Sequence, residues 1–303
     1  MEIITNTALG GLINITPDFV TLLPNKEQKA YLEQIYTGEA DVWASDLLDY
    51  KHGTGKQVSD WMRDRGFSPT FNEKSPFAMA AFLEVVTKWL HKPEESLFKL
   101  DGEIYQRAIH TKAMEIVGDP SLVELELSGG KPTLINMSGE VLEYFKKHET
   151  LRLFVSTELK ELSTFNTAIT QGREMELHLP YAESSMENEI EELCGMNAIL
   201  FGEEAEVDNV HVTTKFRIDN LGAKAEQMAS MAMCYSGCLM PQTRVWEHRI
   251  DVIDRDYYCY ITLNDKLAFA VKIETDDFIS GTGLCIEPKA REGSYIQNPA
   301  FNR

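Results

Sequence analysis

Cysteine and histidine side chains are the first candidates for chemistry in this sequence, which contains five cysteines and seven histidines. Cys234 and Cys238 lie four residues apart, with His248 and Cys259 further along, and four N/S ligands of this kind can hold zinc tetrahedrally. The first pair, however, lies in the apolar run Met231-Ala-Met-Cys-Tyr and not in a Gly-rich turn. We interpret these thiols as small buried apolar side chains and predict no metal site.

A nucleophilic cysteine activated by a histidine is the second possibility. Cys259 lies in an alternating segment with Tyr258 and Tyr260 on the opposite face, and Cys285 lies between Leu284 and Ile286. Neither cysteine begins a helix or follows a basic residue, so nothing in the local sequence favours the thiolate. The sequence contains no Gly-x-Ser-x-Gly or His-Glu-x-x-His pattern. A cysteine-dependent enzyme with a site assembled from scattered residues is the alternative function, and its catalytic residues are unassigned.

The stretch His-Gly-Thr-Gly-Lys-Gln, residues 52–57, is similar to a nucleotide-binding loop. A P-loop requires a glycine five residues before its Gly-Lys pair and a serine or threonine directly after it. Tyr50 and Gln57 occupy those two positions. We therefore predict an ordinary loop before a short helix, and no cofactor.

The distribution of charge is the feature that departs most from an average sequence. Between Glu174 and Thr214 there are 41 residues with no lysine or arginine and with eleven acidic residues. The spacing predicts a helix over Met186–Leu193, in which like charges repel. A solvated face is one interpretation, and a surface that meets a basic partner is the other. For the second we assign partner-binding roles to four residues, which are Glu187, Glu191, Glu203 and Glu204.

The overall charge restricts the classes of partner. The formal net charge is −19, a field that repels nucleic acid and anionic lipid and attracts basic proteins. We therefore expect no direct binding of nucleic acid and none of membranes. The N-terminus has no basic region before its apolar residues, and the number of cysteines is odd. Both features favour a cytoplasmic protein with reduced thiols.

The two halves of the sequence differ in periodicity. The first half predicts helices separated by Pro and Gly; in the clearest, from Ser75 to His91, Ser75 is the N-cap and Trp89 faces the core. Besides Met186–Leu193, the helices predicted over the chain are Lys26–Tyr36, Gln57–Arg65, Ser75–His91, Glu103–Val117, Gly139–His148 and Ala223–Tyr235.

Beyond Thr150 the apolar residues alternate, which is typical of antiparallel strands. The linking pair Asn264-Asp265 predicts a tight hairpin, because both residue types tolerate positive φ. The predicted strands are Leu151–Ser156, Glu174–Leu179, Val210–Ile218, Thr243–Ile253, Tyr257–Leu263, Leu267–Glu274 and Gly283–Glu287. We therefore predict an α+β fold, with a helix-rich region over residues 1–150 packed against an antiparallel β-rich region over 151–303, as two regions or one continuous domain.

Three segments resemble strands of one known family. Met175–Tyr181, Asp265–Ile273 and the following Gly-Leu-Cys-Ile-Glu-Pro, residues 283–288, resemble central and C-terminal strands of serpins. The chain is short for that family. It also lacks the Glu-Gly-Thr hinge followed by small residues that an inhibitory serpin loop requires. On these residues we do not assign the chain to the family.

The leading interpretation is a non-enzymatic acidic protein that binds a protein partner with a basic surface. One version is an inhibitor or antagonist of a basic complex, for example one that handles nucleic acid. Another version is a subunit of an assembly, which includes a homo-oligomer.

Overall fold

Strands predominate over helices in this chain. The computed structural model describes residues 1–100, 104–127, 151–232 and 253–281. Its helices are α1 Thr7–Asn14, α2 Lys26–Gln34, α3 Ala40–Trp43 and α4 Gly55–Asp64, with short 3-10 helices at Leu162–Asn166, Glu191–Leu193 and Thr275–Asp277. Its strands are β1 Glu2–Ile3, β2 Val20–Leu23, β3 Leu48–Gly53, β4 Ala78–Val86, β5 Glu94–Leu100, β6 Ile104–Ile116, β7 Asp119–Leu125, β8 Leu151–Ser156, β9 Gln171–Pro180, β10 Ala182–Glu189, β11 Asn197–Leu200, β12 Glu203–Glu206, β13 Asn209–Ile218, β14 Ala223–Ala232, β15 Tyr257–Leu263 and β16 Lys266–Ile273. The prediction of an α+β fold with a helix-rich N-terminal half is therefore wrong.

These strands form three sheets. The largest has the order β1-β16-β15-β8-β7-β6-β5, with β9 paired to β6. A five-stranded sheet has the order β10-β13-β14-β4-β3, and a three-stranded sheet has the order β12-β11-β2. All strand pairs between these named strands are antiparallel.

The five-stranded sheet is buried on both faces. On one face α1 and the large sheet pack against it, and the rings of Phe216 and Phe269 stack across this interface at 6.1 Å. On the other face α4 buries Val58 and Met62 against the sheet. A central strand of this sheet therefore needs apolar residues on both of its sides.

Two-sided burial explains why β4 was predicted as the helix Ser75–His91. Met79, Ala81, Leu83 and Val85 face the main core, whereas the alternate residues, with Phe82 among them, face α4. The result is a nearly continuous apolar run, and periodicity cannot distinguish such a run from a buried helix.

The helix predicted over Ala223–Tyr235 is wrong for the same reason. The Ala- and Met-rich segment forms β14, which is hydrogen-bonded to β13 on one side and to β4 on the other. The predicted helix Glu103–Val117 is likewise β6, which pairs with three other strands. In these segments tertiary pairing overrides the helix propensity of alanine and methionine.

Several local predictions are confirmed. Helices α2 and α4 form where they were predicted, and each begins with a capping box, Asn25 with Gln28 and Thr54 with Gln57. Asn264 and Asp265 have φ angles of 49° and 59° and link β15 to β16 as a tight hairpin. The tight turn and these two short helices were therefore predicted correctly, whereas the predicted cap at Ser75 belongs to a helix that does not form.

Some predictions lie outside the described residues. These are the helix Gly139–His148, the strand Gly283–Glu287 and, except for Ile253, the strand Thr243–Ile253. The division of the chain at residue 150 stays a prediction. None of the described helices has the length and apolar character needed to cross a membrane.

Candidate functional site

The four acidic residues assigned to partner binding lie on two exposed strands and the turn between them. Glu187 is exposed on β10, which is an edge strand of the five-stranded sheet among the described strands. Glu191 is half-buried in the 3-10 helix, and Glu203 and Glu204 are exposed at the start of β12. The helix predicted over Met186–Leu193 is wrong, since the segment is the end of β10 followed by the 3-10 turn.

A second set of carboxylates, Glu189, Glu206 and Asp208, interacts electrostatically. Burial raises the pKa of Asp208, and the negative charges of Glu189 and Glu206 raise it further. The Nε2 atom of His211 lies 3.9 Å from Oε1 of Glu189. Glu189, Glu206 and Asp208 therefore lie close enough to interact electrostatically, where β10 and β12 end. We call the acidic residues of β10, of the 3-10 helix Glu191–Leu193 and of β12, together with Asp208, the acidic edge.

The acidic edge differs from the acidic residues of β9 in how its charge is balanced. On β9, Glu174 pairs with Lys112, and Glu176 lies 3.1 Å from Nε2 of His110. Within the described residues, none of the four assigned glutamates takes part in an ion pair. The glutamates of β9 therefore have partners inside the chain. In the acidic edge, Glu189 lies beside His211 and Glu183 lies opposite Arg217, whereas the four assigned glutamates are left for solvent or a partner.

An exposed aromatic residue that sequence reasoning missed lies beside Glu203. Phe201 and Gly202 form the turn between β11 and β12, with φ angles of 54° and 85°. Phe201 is 68% exposed, yet one face of its ring stacks on Phe19 at 4.5 Å, and its backbone N–H donates to the Phe19 carbonyl at 2.9 Å. In the sequence, the glycine of the Phe-Gly pair between the short segments 197–200 and 203–206 is the feature from which this hairpin could have been predicted.

The described cysteines are poorly suited to nucleophilic catalysis. Cys259 is fully buried on β15, and this burial raises its pKa far above the usual range of a thiol. Burial also raises the pKa of Cys194, and the negative charges of Glu189 and Asp208 act in the same direction. Both thiols are free. Cys234, Cys238, Cys285 and His248 lie outside the described residues.

We expect Cys259 to resist alkylation in the native protein. A buried thiol with a raised pKa has almost no thiolate to react. Iodoacetamide treatment of native protein, followed by peptide mass spectrometry, should leave Cys259 unmodified, and the same treatment in urea should modify it. Rapid labelling of Cys259 in folded protein would show that this strand opens to solvent.

In the part of the chain that the structure describes, no group of three or more His, Cys, Asp or Glu side chains is arranged to hold a metal ion. The possibility of a zinc site at Cys234, Cys238, His248 and Cys259, which the sequence analysis set aside, is not tested, because three of these four residues lie outside that part.

No family model and no curated protein matches the sequence. Among solved structures, the chain is similar to cleaved Serpin 42Da, with a TM-score of 0.50, 12% identity, and coverage of 77% of this chain and 78% of that one. A second structure of cleaved Serpin 42Da gives a TM-score of 0.49 at 12% identity. That match covers 72% of this chain and 63% of the serpin chain. The thermophilic serpin Tengpin in its latent state gives a TM-score of 0.48 at 10% identity, with 89% of this chain and 95% of the Tengpin chain covered. At this identity the likeness concerns architecture alone: the chain has a serpin-like fold.

Proposed function

We propose that this chain is a non-enzymatic protein-binding protein whose acidic edge meets a basic surface on its partner. The observation that carries the proposal is the contrast between β9, where Lys112 and His110 lie beside the glutamates, and Glu187, Glu191, Glu203 and Glu204, which form no ion pair within the described residues. A concentration of uncompensated charge speeds the encounter with an oppositely charged protein.

The fold favours an inhibitor or antagonist as the form that this binding takes. Serpins are protease inhibitors, and the described part of the chain has a serpin-like fold. An antagonist of a complex that handles nucleic acid also fits an acidic surface, because such complexes carry basic grooves. A subunit of an assembly is the third form of the proposal, and a cytoplasmic location goes with all three.

We infer that such an inhibitor acts by binding alone. Serpins insert a loop into a β-sheet as an added strand. In this chain β14 already lies between β13 and β4 and is antiparallel to both, after a short turn at residues 219–222. Among the described strands, no gap for an added strand is left between β13 and β4. The absence of a Glu-Gly-Thr hinge from the sequence agrees with this interpretation.

We expect reversal of the four assigned charges to slow association with a basic partner. The variant replaces Glu187, Glu191, Glu203 and Glu204 with lysine. Because exposed charges act mainly on encounter, the association rate at low salt should fall roughly tenfold or more and lose most of its salt dependence. Surface plasmon resonance against a lysine-rich peptide, and against a partner identified by pull-down, measures both quantities at two salt concentrations.

The matched control reverses four exposed acidic residues elsewhere, so that both variants change the net charge equally. These residues are Asp41, Asp46, Asp64 and Asp276. The control should retain most of the association rate, because the reversed charges lie away from the acidic edge. If both variants slow association equally, the net charge alone acts and the acidic edge has no special role. If neither does, the acidic edge is a solvated face.

A further inference from the structure

The Phe201-Gly202 turn carries a residue that its backbone conformation disfavours. Two-residue hairpins of this kind favour Asn-Gly or Asp-Gly, since both central residues have positive φ. A phenylalanine in the left-handed region is strained because its Cβ approaches the following carbonyl oxygen. The chain thus retains an unfavourable residue at the tip of the hairpin, where asparagine would be accommodated more easily.

The ring at this tip is held in a fixed position. The rings of Phe201 and Phe19 are stacked, with centroids 4.5 Å apart and planes 7° from parallel. The rings of Phe201 and Phe77 pack edge to face, with centroids 6.2 Å apart. The other side of the ring is open, since the residue is 68% exposed. A rigid, exposed aromatic side chain loses little conformational freedom on binding, which is the usual property of an anchor residue in an interface.

The charge around the tip indicates the chemistry of the surface that it would meet. Glu203 and Glu204 follow directly and are exposed, and Asp18, also exposed, precedes the residue on which Phe201 stacks. Strained residues are retained mainly at sites of function. We propose that Phe201 is an apolar anchor that enters a pocket rimmed by lysine or arginine on a protein partner. This inference rests on the proposed function and adds the shape of the partner's surface to it.

Two peptides of equal length and charge test the anchor, one of alternating Lys and Leu and one of alternating Lys and Ser. The wild-type chain should bind the Lys-Leu peptide about tenfold more tightly in isothermal titration calorimetry. Phe201→Asn should abolish this preference and melt at the same or a higher temperature, because asparagine relieves the backbone strain. Phe201→Tyr retains the ring and should retain the preference.

The matched control is Leu221→Asn, which removes another exposed apolar side chain, 72% exposed, from the turn between β13 and β14. It should bind both peptides as the wild type does. A preference that survives in Phe201→Asn, or that is lost equally in Leu221→Asn, would overturn the anchor. A Phe201→Asn chain that melts far below the wild type would also overturn it, because the ring would then be retained for stability. Failure of the wild-type chain to bind either peptide would count against the proposed function itself.

Discussion

The Arg152→Ala variant is expected to lose about 3–5 kcal/mol of unfolding free energy, because it leaves a buried carboxylate without its counter-charge. Arg152 on β8 donates to both carboxylate oxygens of Glu124 on β7 at 2.9 Å. It also donates to Asp265 at 3.0 Å and to the Ile169 carbonyl at 2.9 Å. Its side chain is 14% exposed and that of Glu124 is 10% exposed. One guanidinium thus joins two strands of the large sheet, the β15–β16 hairpin and the loop before β9.

Urea denaturation of matched variants separates the role of the charge from that of packing. Lys56→Ala breaks an exposed ion pair with Asp60 and should change the unfolding free energy little, because solvent screens the pair. The double variant Arg152→Met with Glu124→Leu removes both charges, and it should recover most of the stability that the single variant loses. An Arg152→Ala protein as stable as the wild type would show that water or another cation reaches Glu124.

Trp89→Ala is expected to cost about 3–5 kcal/mol of unfolding free energy through the cavity that it leaves. Trp89 is only 7% exposed, pairs with Leu127 through an isolated bridge, and donates its indole N–H to the Asp219 carbonyl at 2.7 Å. It therefore connects the segment after β4 to the turn before β14. The sequence predicted a buried Trp89, although on a helix that does not form.

Thermal and urea denaturation should rank the wild type as the most stable protein, Trp89→Phe as intermediate and Trp89→Ala as the least stable. Trp89→Phe fills most of the space but loses the hydrogen bond to Asp219, so we expect a loss of about 1–3 kcal/mol, smaller than that of Trp89→Ala. An unchanged melting temperature for Trp89→Ala would mean that this segment does not belong to the folding core.

How much of the fold follows from the sequence depends on the range of the interactions. The Asn264-Asp265 hairpin and the helices α2 and α4 are determined largely by residues close in sequence, and all three were predicted, although the capping boxes at Asn25 and Thr54 were not. Strand β4 is determined by β14, nearly 150 residues away, and by helix α4 on its far face. When a segment is buried on both sides, its apolar residues show no regular spacing, so the sequence pattern cannot distinguish a helix from a strand.

The candidate site shows the same limit. The deficit of Lys and Arg between Glu174 and Thr214 is visible in the sequence, and it points to the acidic edge. The sequence does not show that Glu174 and Glu176 are balanced by Lys112 and His110, since those partners lie on β6. The backbone strain at Phe201 depends on a φ angle and was not predicted.

The exposed glutamates of β10 also affect whether copies of this chain associate through their sheet edges. Among the described strands nothing covers the outer side of β10 beyond its first residue, so its backbone is open to pairing with another strand. Antiparallel pairing of two copies there would place carboxylates such as Glu187 and Glu189 about 5 Å from those of the neighbour. Such repulsion protects an open sheet edge from aggregation. The charge proposed to attract a basic partner therefore also keeps the protein from adding strands to itself, and fibre-like growth at this edge would require a cation between the copies.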